Sequence, residues 1–163
     1  MNRSKVWAQE IAEGVLIVLI LSNIISYVRQ PELSFTTFPS EKMNLLNGTS
    51  YSYNGTKPLL VHFWATWCPT CKLEASNIQS ISEEYEVVTF AVNSGLDEQL
   101  KSYMDEEGYD FRVVNDQDGF WAKKFNVEAF PTTFIYDSKG ELKFTEVGYS
   151  STVGLLGRMK LSE

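Results

Sequence analysis

Cys68 and Cys71 are the residues of this chain best suited to chemistry: they are its two cysteines, three positions apart, and its single histidine, His62, precedes them. A Cys-x-x-Cys pair can be half of a zinc site, but a structural zinc takes four ligands. One histidine and no second cysteine pair leave such a site short within one chain. No metal site and no cofactor are therefore expected. A disulfide between the two sulfurs would close a loop one helical turn long, which restrains the unfolded chain far less than a long-range bridge. Its value must be chemical: a dithiol able to open disulfides, or a disulfide able to oxidise thiols.

Two elements have to hold that pair. Leu59 to Trp64 is an unbroken apolar run, typical of a strand buried on both faces. Pro69 to Tyr85 reads as a helix with proline in its first turn. Cys68 then stands at a strand-to-helix junction, where free backbone N–H groups and the helix dipole favour an anion. Lowering a thiol pKa from about 8.5 to about 7 takes roughly 2 kcal/mol, within reach of a helix terminus. Cys71, one turn further in, should stay protonated until it attacks a mixed disulfide on Cys68.

Further elements follow from the pattern. Val87 to Val92 reads as a second buried strand, Leu96 to Glu107 as a helix ended by Gly108, Phe111 to Val114 as a short strand and Asp118 to Phe125 as a short helix. Thr132 to Tyr136 and Leu142 to Val147 read as strands joined by the turn Asp137-Ser138-Lys139-Gly140, and Thr152 to Leu161 as a last helix weakened by Gly154 and Gly157. Upstream, Asn47-Gly48 and Asn54-Gly55 flank the alternating Thr49 to Tyr53 and suggest a short hairpin. Both dipeptides also fall in Asn-x-Thr sequons, and the turn is the simpler reading. Strand–helix alternation followed by a hairpin and a helix indicates an α/β sandwich with a mixed sheet.

The N-terminus has another character. Val15 to Val28 is nearly all aliphatic. Fourteen helical residues reach only about 21 Å, but a helix starting near Trp7 reaches about 33 Å and spans a hydrocarbon core of roughly 30 Å. Arg3 and Lys5 before the run and Arg29 after it bias the N-terminus weakly toward the cytoplasm. No Ala-x-Ala-like site follows, so the reading is an uncleaved transmembrane anchor over 1–29, a Pro-containing linker over 30–40 and a domain over 41–163. The chain's 163 residues leave room for one domain plus such an appendage. Its 44% hydrophobic and 21% charged shares suit a globular protein. A net charge of −7 argues against nucleic acid as a partner, because phosphate binding needs a Lys/Arg surplus.

The run Phe63-Trp64-Ala65-Thr66-Trp67-Cys68-Pro69-Thr70-Cys71, with Phe130-Pro131-Thr132-Thr133-Phe134 downstream, resembles the thioredoxin superfamily. Within it the chain looks like the TlpA-like membrane-anchored group, most like the suppressor-for-copper-sensitivity protein D type. That likeness runs from the N-terminal anchor through Tyr109-Asp110-Phe111-Arg112-Val113-Val114-Asn115-Asp116 to the last helix. It implies a thioredoxin-like three-layer sandwich behind one transmembrane helix. It also implies a single-pass protein of a bacterial inner membrane with its catalytic domain in the periplasm. The bond before Pro131 would be cis, its turn facing the cysteines, and the backbone of Phe130 would pair with an extended substrate as an added strand. Trp67, Pro69, Thr70, Phe130 and Pro131 are the residues expected to meet substrate, and Cys68, Cys71 and His62 those expected to act.

Two departures from thioredoxin itself stand out. His62 occupies the place of a buried acid that takes the proton of the second cysteine, and a neutral imidazole could do the same. Pro69-Thr70 replaces Gly-Pro, and this intervening pair tunes thiolate stability and so the reduction potential. The function expected is a periplasmic disulfide reductase acting on envelope protein thiols or disulfides. It would be recharged by a membrane electron donor of the DsbD or CcdA kind. Thiol oxidation uses the same residues. A third possibility is an apocytochrome reductant for cytochrome c maturation. The absence of Pro-Glu-Thr at Pro131-Thr132-Thr133 counts against it. A fourth is a Cu(I)-binding copper-tolerance module. A buried Cys71 and a proline between the thiols would make a poor chelate.

Overall fold

The computed structural model describes residues 3–28 and 36–163; the side chains of residues 3–6, 8, 19, 22, 23 and 25–28 lie outside the description. The chain divides into two compact units, residues 1–30 and 31–163.

In the first unit, helix α1 runs over Arg3–Val28. Its described aliphatic side chains from Val15 to Ile24 are at least half exposed. Among the described residues no helix is long and apolar enough to cross a membrane. Several of the side chains on which the expected anchor rests, among them Leu19 and those of 25–28, are outside the described set, as are Arg29 and the first part of the expected linker.

In the second unit a five-stranded sheet has the order β5-β4-β3-β6-β7. Its strands are β3 (Leu59–Trp64), β4 (Glu86–Val92), β5 (Val113–Asp116), β6 (Thr132–Tyr136) and β7 (Leu142–Val147). β3, β4 and β5 are parallel, while β6 is antiparallel to both β3 and β7, so the sheet is mixed. The runs of valine, leucine, isoleucine and phenylalanine in β3 and β4 make sense because both faces are covered. One face carries α2 (Pro69–Glu84), α3 (Asp97–Glu107) and α5 (Thr152–Leu161), packed through Leu60, Trp64, Ile78, Leu100, Ile135 and Met159. The other carries α4 (Phe120–Lys124) and a hairpin of β1 (Met43–Asn44) and β2 (Ser50–Tyr51). Phe63 stacks on Phe90 at 4.7 Å there, with Phe125 at 5.1 Å. The period of two in β3 puts Leu59, Val61 and Phe63 on this second face, and Leu60, His62 and Trp64 under α2.

Three local differences from the sequence reading have physical causes. The hairpin turns at Asn47-Gly48, so residues 50–51 pair back with Met43–Asn44, and Asn54-Gly55 leads on to β3. β5 lies two residues later than Phe111 to Val114: Phe111 leaves the ladder to pack edge-on against Trp64, and pairing continues through Asn115 and Asp116. The described end of the expected linker is bound to the sheet. Leu142 N–H donates to Thr36 O (2.8 Å), Phe38 N–H to Gly140 O (2.9 Å), and the Phe38 ring is buried against Tyr53, Phe125 and Tyr136. Gly140 takes a φ of +78°, and a Cβ there would come within 3.2 Å of the Tyr53 ring.

Candidate redox site

β3 ends at Trp64, the chain turns through Ala65, Thr66 and Trp67, and α2 begins at Pro69, so Cys68 is the residue just before the helix. Its extended backbone (φ −89°, ψ 113°) suits a cap, and Pro69 at the first helical position costs nothing because the N–H it lacks would go unpaired there. The side chain does the capping: Cys71 N–H donates to Cys68 Sγ at 3.2 Å. An orphan amide at a helix N-terminus therefore points at the very sulfur that has to carry charge. The two sulfurs are joined in a disulfide, their Cα atoms 5.3 Å apart. Cys68 is 5% exposed and Cys71 1%, so the first sulfur is the one a partner can reach.

Around the pair, Phe130–Pro131 is a cis peptide bond, and Phe130 O lies 3.7 Å from Cys68 Sγ. A bonded sulfur has no proton to give, so this is a contact in the oxidised state; a thiol at the same place could donate to the carbonyl. Pro131 is buried, Pro69 exposed, and Thr70 half-buried. Trp67 stands out at 57% exposure, its ring set edge-on to Phe130 at 5.7 Å and its Nε1–H donating to Asn93 O. Thr66 N–H donates to Ser94 Oγ, so the loop after β4 holds the approach to Cys68 at two points. Like Trp67, Phe120 is exposed. Trp64 and Phe125 are core residues on opposite faces of the sheet, and Trp121 is half-buried.

His62 is 2% exposed, on the sheet face that α2 covers, with Nδ1 hydrogen-bonded to Thr133 Oγ1 at 2.9 Å. Burial pushes its pKa down to about 3, which makes it a neutral imidazole at any physiological pH. A second titratable group on that face, Glu74, went unnoticed in the sequence. It is fully buried on the inner face of α2, one turn beyond Cys71. Oε1 accepts from Ser150 N–H at 3.2 Å, while Oε2 has no partner. Burial, helped by the Glu146 charge and opposed by the Ser150 bond, raises its pKa to about 8. A signal for it existed: Cys71, Ala75, Ile78 and Ile81 form a helical stripe, and position 74 falls on it.

Comparison with known proteins agrees with this geometry. The Redoxin family model matches residues 33–156. A thioredoxin-like protein of Haemophilus influenzae is 31% identical over 153 residues, covering 91% of this chain and 90% of its own length. Sporulation thiol-disulfide oxidoreductase A of Bacillus subtilis is 31% identical over 114 residues, 65% of this chain and 69% of that one. Among solved structures, a thioredoxin-family thiol:disulfide interchange protein from Chlorobium tepidum superposes with a TM-score of 0.69 at 25% identity, over 80% of this chain and 98% of that one.

Proposed function

The chain belongs to the Redoxin family and is a thiol–disulfide oxidoreductase, and from that premise we propose that it reduces protein disulfides in the bacterial envelope, with Cys68 attacking and Cys71 resolving. The observation that carries this reading is the Cys71 N–H aimed at Cys68 Sγ at the start of α2, beside the carbonyl of Phe130. In the reduced state the Cys68 thiolate attacks one sulfur of a target disulfide. The other target sulfur leaves as a thiolate, and a mixed disulfide remains. Cys71 gives up its proton and attacks Cys68 Sγ. The second target thiolate is released, two electrons have passed to the target, and Cys68–Cys71 is a disulfide again.

The proton on Cys71 needs an acceptor, and magnitudes choose between the two candidates. A thiol near 8.5 giving its proton to an imidazole near 3 climbs about 7 kcal/mol. The same transfer to a carboxylate near 8 costs less than about 1 kcal/mol. We assign the role to Glu74, and to His62 the task of packing beneath the pair with Thr133.

We further propose that α1 anchors the enzyme in the inner membrane, with the domain on the periplasmic side. A membrane electron donor of the DsbD or CcdA kind would restore the dithiol. The support is a helix of 26 residues, about 39 Å long, whose described aliphatic side chains are at least half exposed. Two experiments test the function. The full chain should reduce insulin disulfides and Cys68→Ser should not. Alkylation trapping in cells should find the pair mainly reduced, and a mainly oxidised pair would reverse the assigned direction.

A further inference from the structure

β7 and α5 bring an ion pair to the flank of the buried carboxyl. Glu146, opposite Thr133 in the β6–β7 ladder, is bonded through Oε1 to Arg158 Nε at 2.7 Å, and the guanidinium also donates from a terminal N–H to Gly154 O at 3.0 Å. The segment from Glu146 to Ser150 is the one whose Ser150 N–H binds Glu74 Oε1, and Asn77 Nδ2–H donates to Ser150 O at 2.9 Å. Glu146 thus shares the sheet face of Thr133 and lies four residues ahead of the amide that binds Glu74, and its charge helps to raise the Glu74 pKa. The other groups on that side are accounted for. β3 offers His62, which is neutral, and β6 offers the Thr133 hydroxyl bonded to it. The β7–α5 loop offers a backbone amide, and α5 offers Arg158.

We propose that the Glu146–Arg158 pair is a positioning element for the resolving step: Arg158 neutralises the Glu146 carboxylate, which stands on the sheet face that α2 covers, so that Glu74 can take the Cys71 proton. This rests on the assignment of Glu74 as acceptor. Glu74 must be ionised to accept, and an uncompensated negative charge nearby delays its ionisation while removal of that charge advances it. The pair is partly exposed, so its loss as a structural bond is worth little, about 0–1 kcal/mol, and the variants should fold.

The test uses the reduced full chain and dithionitrobenzoate in a stopped-flow instrument. The first nitrothiobenzoate leaves when Cys68 attacks. The second, whose release does not depend on reagent concentration, leaves when Cys71 resolves the mixed disulfide. The resolving rate should rise with pH through an inflection near 8 in the wild type. Arg158→Gln should move that inflection up, Glu146→Gln should move it down, and Arg158→Lys should keep it in place. A displacement of half a pH unit changes the rate at neutral pH about threefold. Both neutral variants break the same bond, so a merely structural role predicts equal changes in one direction. Parallel changes, or an inflection that neither variant moves, overturn the proposal. If instead the inflection survives in Glu74→Gln, the assignment of Glu74 fails and this inference falls with it.

Discussion

The stability of the oxidised Glu74→Gln protein relative to the wild type should rise with pH. The folded protein holds the Glu74 proton to about pH 8, while an unfolded chain releases it near 4.5. Between those values the folded state binds more protons than the unfolded one, so stability falls as pH rises. With a slope of at most about 1.4 kcal/mol per pH unit that flattens near either pKa, the wild type loses about 3 kcal/mol between pH 4.5 and pH 7 and about 4 kcal/mol by pH 8. Glutamine does not titrate. It keeps an oxygen for Ser150 N–H but puts an amide N–H2 where Oε2 had no partner, at a fixed cost of about 1–3 kcal/mol. The absolute difference between the proteins therefore has no clean sign, and its dependence on pH does. Thermal unfolding of both full-length proteins, followed by tryptophan fluorescence with the disulfide intact, should show Glu74→Gln gaining roughly 6–12 °C on the wild type between pH 4.5 and pH 7. A gap that stays constant over that range would refute both the proton on Glu74 and its use in the resolving step.

Cys71→Ser should leave the first attack intact and strand the target on Cys68, so mixed disulfides should accumulate on non-reducing gels while insulin turnover is lost. Thr133→Val removes the partner of a buried imidazole nitrogen and should cost about 1–3 kcal/mol in guanidinium unfolding, independent of pH above about 5. Gly95→Ala puts a Cβ at a φ of +96°, 2.6 Å from the Gln99 Oε1 that accepts Leu96 N–H at the start of α3. Because Ser94 in the same loop holds Thr66, this variant should lower both the melting temperature and the rate of the Cys68 attack, and a normal rate would show the two loops to be uncoupled.

The sequence spoke most clearly where one physical rule acted alone. β3 and β6 start and stop where their apolar runs do, because strands buried on both faces cannot tolerate early polar residues, and β7 and α5 are bounded by the turn residues and the Ser151 cap around them. β5 was misplaced because Asn115 and Asp116 are poor strand residues by propensity. The carboxylate of Asp116 is in demand elsewhere, accepting Trp121 N–H and Ala122 N–H at the start of α4, and that tertiary bond fixes its backbone in the ladder. Of the site, Cys68 and Cys71 were legible from spacing and the cis turn from a resemblance. Glu74 was hidden because a charged residue in a helix is read as solvent-facing by default, and only its phase relative to Cys71 and Ile78 places it inside. For His62, spacing could not say how completely burial and Thr133 would hold it uncharged.

The strap formed by Thr36 to Phe38 grips the sheet at the β6–β7 turn, whereas Cys68 lies past the opposite end of β3. Six strand residues, roughly 20 Å, separate where the polypeptide is moored from where electrons change hands. A change within Thr36 to Phe38 therefore acts first on the hairpin end of the sheet, where these residues bond to Gly140 and Leu142, and reaches the sulfurs only through the length of β3.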